Sequence, residues 1–159
     1  MQNIVLLKKY ALNYLGKYDS SKNNLKRILK NKIKRLHLDK KEKFMLYDSV
    51  NNIIKELENQ NLIDDKKYIY SKIRNASTFG KSKNFIISYL LNKGLEKEDV
   101  NDVINNFEID FPNWQEKSID IFIRKKRIIL ENEKNKEKNI AKLARAGFDY
   151  NIIKKKLRI

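Results

Sequence analysis

Apolar residues recur along this chain at intervals of three and four positions, which is the spacing of an amphipathic α-helix. Two clear stripes are Val50, Ile53, Ile54 and Leu57, and Ile119, Phe122 and Ile123. No stretch alternates apolar and polar residues between hairpin turns, and only one proline and four glycines interrupt the chain. The pattern predicts an all-α fold.

The order of helix starts and stops repeats along the chain. The tripeptide Ser-Lys-Asn at 21–23 recurs at 82–84, and Lys-Gly-Leu at 93–95 has the counterpart Ala-Gly-Phe at 146–148. In the third copy the serine position is Asn135, so each copy would begin with a helix-capping residue type. Matching order in three segments favours tandem repetition over a chance likeness of helical hairpins.

We therefore divide the chain into three repeats of about three helices each, at 1–64, 65–111 and 112–159. Each repeat exposes apolar faces that only its neighbours can cover, so about nine helices should form an elongated, curved array. The first repeat has Ile33 in place of the glycine. It also carries a lysine-rich insertion at 34–47 before its last helix.

Several residues are expected to shape the turns of these repeats. Gly94 and Gly147 should end helices in the left-handed conformation. Phe148 should pack on Ile153 as a hydrophobic staple. Asp149, which follows Phe148, should cap the helix that contains Ile153.

Two further helix starts are predicted around 64 and 113. Asp64 and Asp65 precede a helical pattern, so capping and interaction with the helix dipole explain them better than acid–base chemistry. Asn113 and Glu116 have the spacing of a capping box. Trp114 is expected in the core or at a repeat interface, in preference to a base-stacking role.

The charge is strongly positive, because 36 Lys and Arg stand against 20 Asp and Glu, a formal net charge of +16. Such a surface attracts polyanions, nucleic acid above all. Codon bias of an AT-rich genome would also enrich Lys, Asn and Ile, so composition alone leaves nucleic-acid contact open. Lysine predominates over arginine, which indicates contact with a nucleic-acid backbone without sequence preference.

The candidate binding residues are the most concentrated cations. A solvated helix face explains each cluster taken alone, whereas together they could form one basic surface for an anionic partner. These residues are Lys81, Lys83, Arg124, Lys125, Lys126, Arg127, Lys154, Lys155 and Lys156.

No catalytic, cofactor or metal site is expected. Gly80, Lys81 and Ser82 resemble the end of a phosphate-binding loop, but Asn75 stands where that loop needs a glycine. His37 is the sole histidine and there is no cysteine, so metal sites and His-dependent triads lack partners. The chain also lacks an apolar run long enough for a membrane helix. We expect a soluble, cytoplasmic, monomeric binding protein.

The order and spacing of these motifs resemble the RecX family of recombination regulators along nearly the whole chain. The resemblance rests on Ala11, Leu12, Leu15, Ser20, Ser21, Leu25, 57–68, Gly80, Ile86, Leu90, 93–95, Trp114, 124–127, Lys138, 146–150 and Ile153. The chain departs from the family at Asn61, commonly glycine there, and at Lys81, commonly proline.

The resemblance implies a tandem three-helix-repeat protein that binds RecA and RecA–DNA filaments. Such proteins modulate, and usually inhibit, RecA's ATPase and strand exchange in recombination and DNA repair. The family has no catalytic group and no cofactor. The alternative hypothesis, from charge alone, is a nucleic-acid-binding helical-repeat protein without sequence preference.

Overall fold

The computed structural model describes residues 1–130 and 133–159, and all regular secondary structure in these ranges is helical. The predicted all-α fold is therefore confirmed. The α-helices are α1 (Gln2–Leu15), α2 (Lys22–Arg35), α3 (Lys40–Asn59), α4 (Asp65–Thr78), α5 (Lys83–Asn92), α6 (Lys97–Asp110), α7 (Trp114–Lys125), α8 (Lys136–Arg145) and α9 (Tyr150–Leu157), with a 3-10 turn at Glu133–Asn135.

One compact unit consists of Met1–Tyr68 and Lys93–Leu95. Its core is formed by apolar side chains of α1, α2 and α3 at helical spacing, together with Ile63 after α3. A Val, Leu or Ile side chain contributes about 1.5–3 kcal/mol when fully buried. The core residues are Leu7, Ala11, Leu25, Leu29, Ile33, Leu46, Val50, Ile53, Ile54, Leu57 and Ile63.

Helix α3 begins with a capping box. The carboxylate of Asp39 accepts a hydrogen bond from the backbone N–H of Glu42 at 2.8 Å, and the Glu42 side chain accepts from the N–H of Asp39 at 3.4 Å. The helix therefore starts at Lys40, and 40–47 form the first turns of α3. That 34–47 is an insertion relative to the other repeats stays a prediction. His37 is exposed in the connection between α2 and α3, as predicted.

The second compact unit consists of Ile69–Asn92 and Glu96–Ile159. Trp114 is only 5% exposed, which confirms the expectation of a core position. Phe148 and Ile153 share a buried cluster with Ile119 and Leu143, consistent with the predicted staple. Each predicted repeat contains three of the α-helices, while the repeat boundaries themselves stay a prediction.

Left-handed residues end several helices. Gly94 and Gly147 have φ of +80° and +90°, as predicted. After α8 the N–H of Phe148 donates to the carbonyl of Leu143 at 3.2 Å and that of Gly147 to Ala144 at 2.9 Å. These two bonds define the Schellman motif, which satisfies carbonyls at a helix end.

Two residues other than glycine take the same conformation. Asn61 ends α3 with φ of +55°, a region that asparagine adopts more readily than most other side chains. Arg127 follows α7 with φ of +51°. The run 124–127 therefore does not lie on one helix, because α7 ends at Lys125.

Helices α2, α5 and α8 follow the matching positions Ser21, Ser82 and Asn135 of the three predicted repeats, and a serine side chain caps the first two. Ser21 accepts from the N–H of Asn24 at 3.2 Å, and Ser82 accepts from the N–H of Phe85 at 3.1 Å. Asn135 precedes α8, but its side chain makes no capping bond. Its φ and ψ of −104° and 4° differ from the extended conformation that directs a cap side chain at the helix.

Asp64 and Asp65 have different partners. Asp64 accepts from the N–H of Lys67 at 3.1 Å and caps α4, as predicted. Asp65, which is 9% exposed, accepts from the N–H of Lys22 at 2.8 Å. It thereby satisfies a free donor in the first turn of α2.

The other two predicted caps lack their hydrogen bonds. Asn113 and Asp149 occupy the positions before α7 and α9, but neither side chain bonds to the helix that follows. The predicted capping box of Asn113 and Glu116 is therefore wrong, since φ and ψ of −101° and 13° turn the Asn113 side chain away from a cap geometry.

The substitution Gly80→Ala should destabilise the protein. Gly80 has φ of +76°, and an added Cβ would lie 2.9 Å from both the backbone nitrogen of Phe122 and Cγ2 of Ile121. The left-handed conformation alone costs a residue with a Cβ about 1–2 kcal/mol. We expect urea unfolding, followed by far-UV circular dichroism, to show at least this loss in the free energy of unfolding.

The matched control is Gly16→Ala. Gly16 is right-handed, with φ of −66°, and its nearest contact to an added Cβ is the carbonyl of Leu12 at 3.5 Å. This change should be neutral or stabilising by up to about 1 kcal/mol. Equal stabilities of the two variants would contradict the packing described for Gly80.

Candidate partner-binding surface

The C-terminal end of α7 carries four exposed cations. Arg124 and Lys125 lie in its last turn, Lys126 follows, and Arg127 takes the left-handed position. Cations here face the partial negative charge of the helix end, which favours them. Within the ranges that the structure describes, none of the four forms an ion pair with a carboxylate. Their charge is available to a partner.

The connection between α4 and α5 lies along α7. The hydroxyl of Ser118 donates to the carbonyl of Lys81 at 2.6 Å, and the ammonium of Lys125 donates to the carbonyl of Phe79 at 3.2 Å. Gly80, between these two carbonyls, leaves no space for a Cβ against α7. These contacts hold Lys81 and Lys125 in the same part of the surface.

Two exposed phenylalanine rings accompany these lysines. Phe79 is 63% exposed and Phe85 is 43% exposed. The Lys125 ammonium lies 4.8 Å from the centre of the Phe79 ring, and the Lys81 ammonium lies 4.4 Å from that of Phe85, both within cation–π range. We call these four residues the lysine–phenylalanine cluster. Cations beside exposed rings can contact phosphates and bases together.

Three of the other candidate lysines have carboxylate partners. The pairs are Lys83 with Glu108 (2.8 Å), Lys155 with Glu116, and Lys156 with Asp120. Such pairs at partly exposed positions add little stability, but they offset the positive charge locally. That all nine candidates contact one partner stays a prediction.

Lys154 differs from its two neighbours on α9. Its ammonium lies 5.5 Å from the ring centre of Tyr150, one turn earlier on the same helix. Both side chains are exposed. The structure thus has a further lysine–aromatic pair on α9.

The two phenylalanines were not among the residues predicted from the sequence. The helical period could have indicated Phe85, because Ile86 and Leu90 form the buried stripe of α5 and leave Phe85 outside it. Phe79 directly precedes Gly80 at the end of α4, and it is exposed there. The sequence could therefore have indicated both residues, as aromatic side chains that lie outside the buried apolar stripes.

The tripeptide at 80–82 is a helix end followed by a helix cap, as predicted. Gly80 closes α4, with the N–H of Lys81 donating to Ala76 at 3.1 Å, and Ser82 caps α5. In the part of the chain that the structure describes, no group of three His, Asp or Glu residues could hold a metal ion. Among the described helices, none combines the length and the apolar character needed to cross a bilayer.

Known proteins are similar to this chain in sequence and in fold. No protein-family model matches the chain. The regulatory protein RecX of Myxococcus xanthus is 28% identical over 158 residues, covering 94% of this chain and 82% of the relative.

Two crystal structures superpose on most of the chain. That of RecX from Lactobacillus salivarius has a TM-score of 0.76 at 23% identity, covering 97% of this chain and 94% of the other. A second, of a regulatory protein RecX, has a TM-score of 0.72 at 21% identity, covering 98% and 72%. At these identities the two structures show the fold, and with the sequence relative they confirm the resemblance to the RecX family that the motifs predict.

Proposed function

We propose that this protein regulates RecA by binding RecA and RecA–DNA filaments, and that it lowers their ATP hydrolysis and strand exchange in recombination and DNA repair. The observation that carries the proposal is the likeness to a protein named regulatory protein RecX over 94% of the chain. The RecX-like fold over 97% of the chain supports it. Regulation would occur by binding, as a cytoplasmic monomer and without a cofactor.

The charge distribution suits a filament that contains DNA. The net charge of +16 favours association with a polyanion, and four cations at the end of α7 have no described carboxylate partner. Lysines contact phosphates as point charges, so binding should not depend on base sequence. We propose that the lysine–phenylalanine cluster and Arg124, Lys126 and Arg127 contact the filament.

A nucleic-acid-binding protein without sequence preference is the second candidate. The lysine–phenylalanine cluster favours it as well, since cations and exposed rings together bind single strands. The two functions differ in whether the partner must contain RecA or only nucleic acid. Affinity for bare single-stranded DNA should be well below affinity for the RecA filament at the same salt if the first proposal holds, and equal to it under the second.

The direct test is a titration of this protein into RecA that is hydrolysing ATP on single-stranded DNA, with RecA from the same organism. We expect inhibition at amounts well below one molecule per RecA, because a bound regulator would affect filament extension or stability beyond its own contact. No effect at excess protein and low salt would contradict the regulatory role.

A pair of double variants tests the binding surface. Lys81→Ala with Lys125→Ala removes two cations of the lysine–phenylalanine cluster, whereas Lys155→Ala with Lys156→Ala removes two cations that face carboxylates. We expect the first variant to lower filament affinity about tenfold, the equivalent of about 1.4 kcal/mol, and the second to change it little. Fluorescence anisotropy of labelled filament DNA measures both.

The salt dependence of the same measurement identifies the contact. If both lysines contact phosphates of a single strand, their removal should lower the log–log salt slope by about 1.4, at about 0.7 per phosphate. Circular dichroism should show equal helix content in both variants. Equal losses of affinity in the two double variants would contradict the assignment of the surface.

A further inference from the structure

A pocket of about 440 Å³ opens in the second compact unit, where the ends of α4 and α6 meet the start of α7. Its volume is within the range of sites that bind small ligands or peptide side chains. It is lined by aromatic rings and by a few charged groups, among them Arg74, Phe107, Asp110, Phe111, Trp114 and Lys117.

The aromatic rings of the lining pack against one another, edge to face for Phe107 and Trp114 and tilted for Phe107 and Phe111. Phe107 lies 5.7 Å from Trp114 at an interplanar angle of 74°, and 4.9 Å from Phe111 at 43°. Phe107 and Trp114 are 3% and 5% exposed, so their faces are covered, whereas Phe111 is 47% exposed. A nucleobase needs an open ring face for stacking, whereas an apolar side chain packs against ring edges as well. Of these three rings Phe111 alone offers an open surface, and Asp110 in the same lining repels the phosphates of a nucleic acid. The lining therefore favours an apolar side chain.

Trp114 also has an unused hydrogen-bond donor. Its indole Nε1 is buried and finds no acceptor among the described residues. A buried donor without an acceptor destabilises the protein, and a ligand oxygen that accepts from it removes this cost. Because Trp114 belongs to the lining of the pocket, an acceptor bound there is the simplest partner for this donor.

Charged side chains at the pocket indicate which polar groups a ligand would need. Arg74 and Lys117 are exposed, and neither forms an ion pair within the described ranges. Two cations beside an apolar pocket complement a carboxylate. Asp110 lines the pocket too, and its carboxylate can accept an N–H of a peptide backbone.

We propose that this pocket binds a peptide segment of a protein partner, in which a bulky apolar side chain stands next to an aspartate or glutamate. The apolar side chain packs against Phe107 and Phe111, and the carboxylate is bound by Arg74 and Lys117. A backbone or carboxylate oxygen accepts from Trp114. The site is separate from the lysine–phenylalanine cluster, and the inference does not require the partner to be RecA.

The test selects peptides and then measures binding at Trp114, the chain's single tryptophan. A display library of random ten-residue peptides is selected on the full-length protein, with removal of those that also bind Thr78→Phe, in which a larger side chain fills the pocket. The enriched peptides, made synthetically, are titrated while Trp114 fluorescence is recorded. We expect them to share an apolar residue beside an acidic one and to change the emission saturably.

Charge variants test whether Lys117 binds the acidic residue of the peptide. Lys117→Glu should weaken the selected peptides at least tenfold, and Lys117→Arg should retain binding, because the first reverses the charge and the second keeps it. Lys142→Glu on α8, an equal charge reversal at an exposed position outside the pocket lining, should leave affinity unchanged. Equal losses in Lys117→Glu and Lys142→Glu would show a long-range charge effect and overturn the proposal.

Two other outcomes would also overturn it. One is the absence of enriched peptides that distinguish the protein from Thr78→Phe. The other is a saturable change of Trp114 emission with an oligothymidylate that no acidic peptide produces, since this would assign the pocket to nucleic acid. The RecA ATPase of the unmodified mixture tests regulation without reference to these peptides, so the two proposals fail independently.

Discussion

The second compact unit depends on the close approach of two glycines to neighbouring helices. Gly80 lies against α7, and Gly147 lies against the start of α5, where an added Cβ would come within 2.5 Å of the Ser82 hydroxyl. Ser82 itself donates to the carbonyl of Ala146 at 2.7 Å while it caps α5. Because Lys81 and Phe85 flank these contacts, both glycines help to position the lysine–phenylalanine cluster.

A similar contact occurs in the first compact unit. Gly94 lies against Asn23, whose side-chain amide donates to the Gly94 carbonyl at 3.3 Å. In both units the start of a helix that follows Ser21 or Ser82 thus meets a left-handed glycine from a later part of the chain. A tandem repeat produces such similar contacts, because each copy packs against the next copy in the same way.

Sequence periodicity predicted the helices well, because burial imposes it directly. The glycine turns and serine caps were also predictable, since each rests on a local backbone requirement. The left-handed Arg127 was not, because a basic side chain at that position carries no mark of a helix end. The pairing of Lys155 and Lys156 with carboxylates of α7 depends on tertiary packing between α7 and α9, which lies beyond local sequence.

The central claim is that the lysine–phenylalanine cluster contacts the RecA filament, and site-specific cross-linking tests it most directly. The chain has no cysteine, so Ser88→Cys on α5, three residues after Phe85, can carry a single photoreactive group. Asn51→Cys, exposed on α3, is the matched control. We predict that irradiation with RecA–DNA filaments cross-links position 88 to RecA or DNA and leaves position 51 unlinked. Cross-links from position 51 alone, or equal yields from both, would contradict the claim.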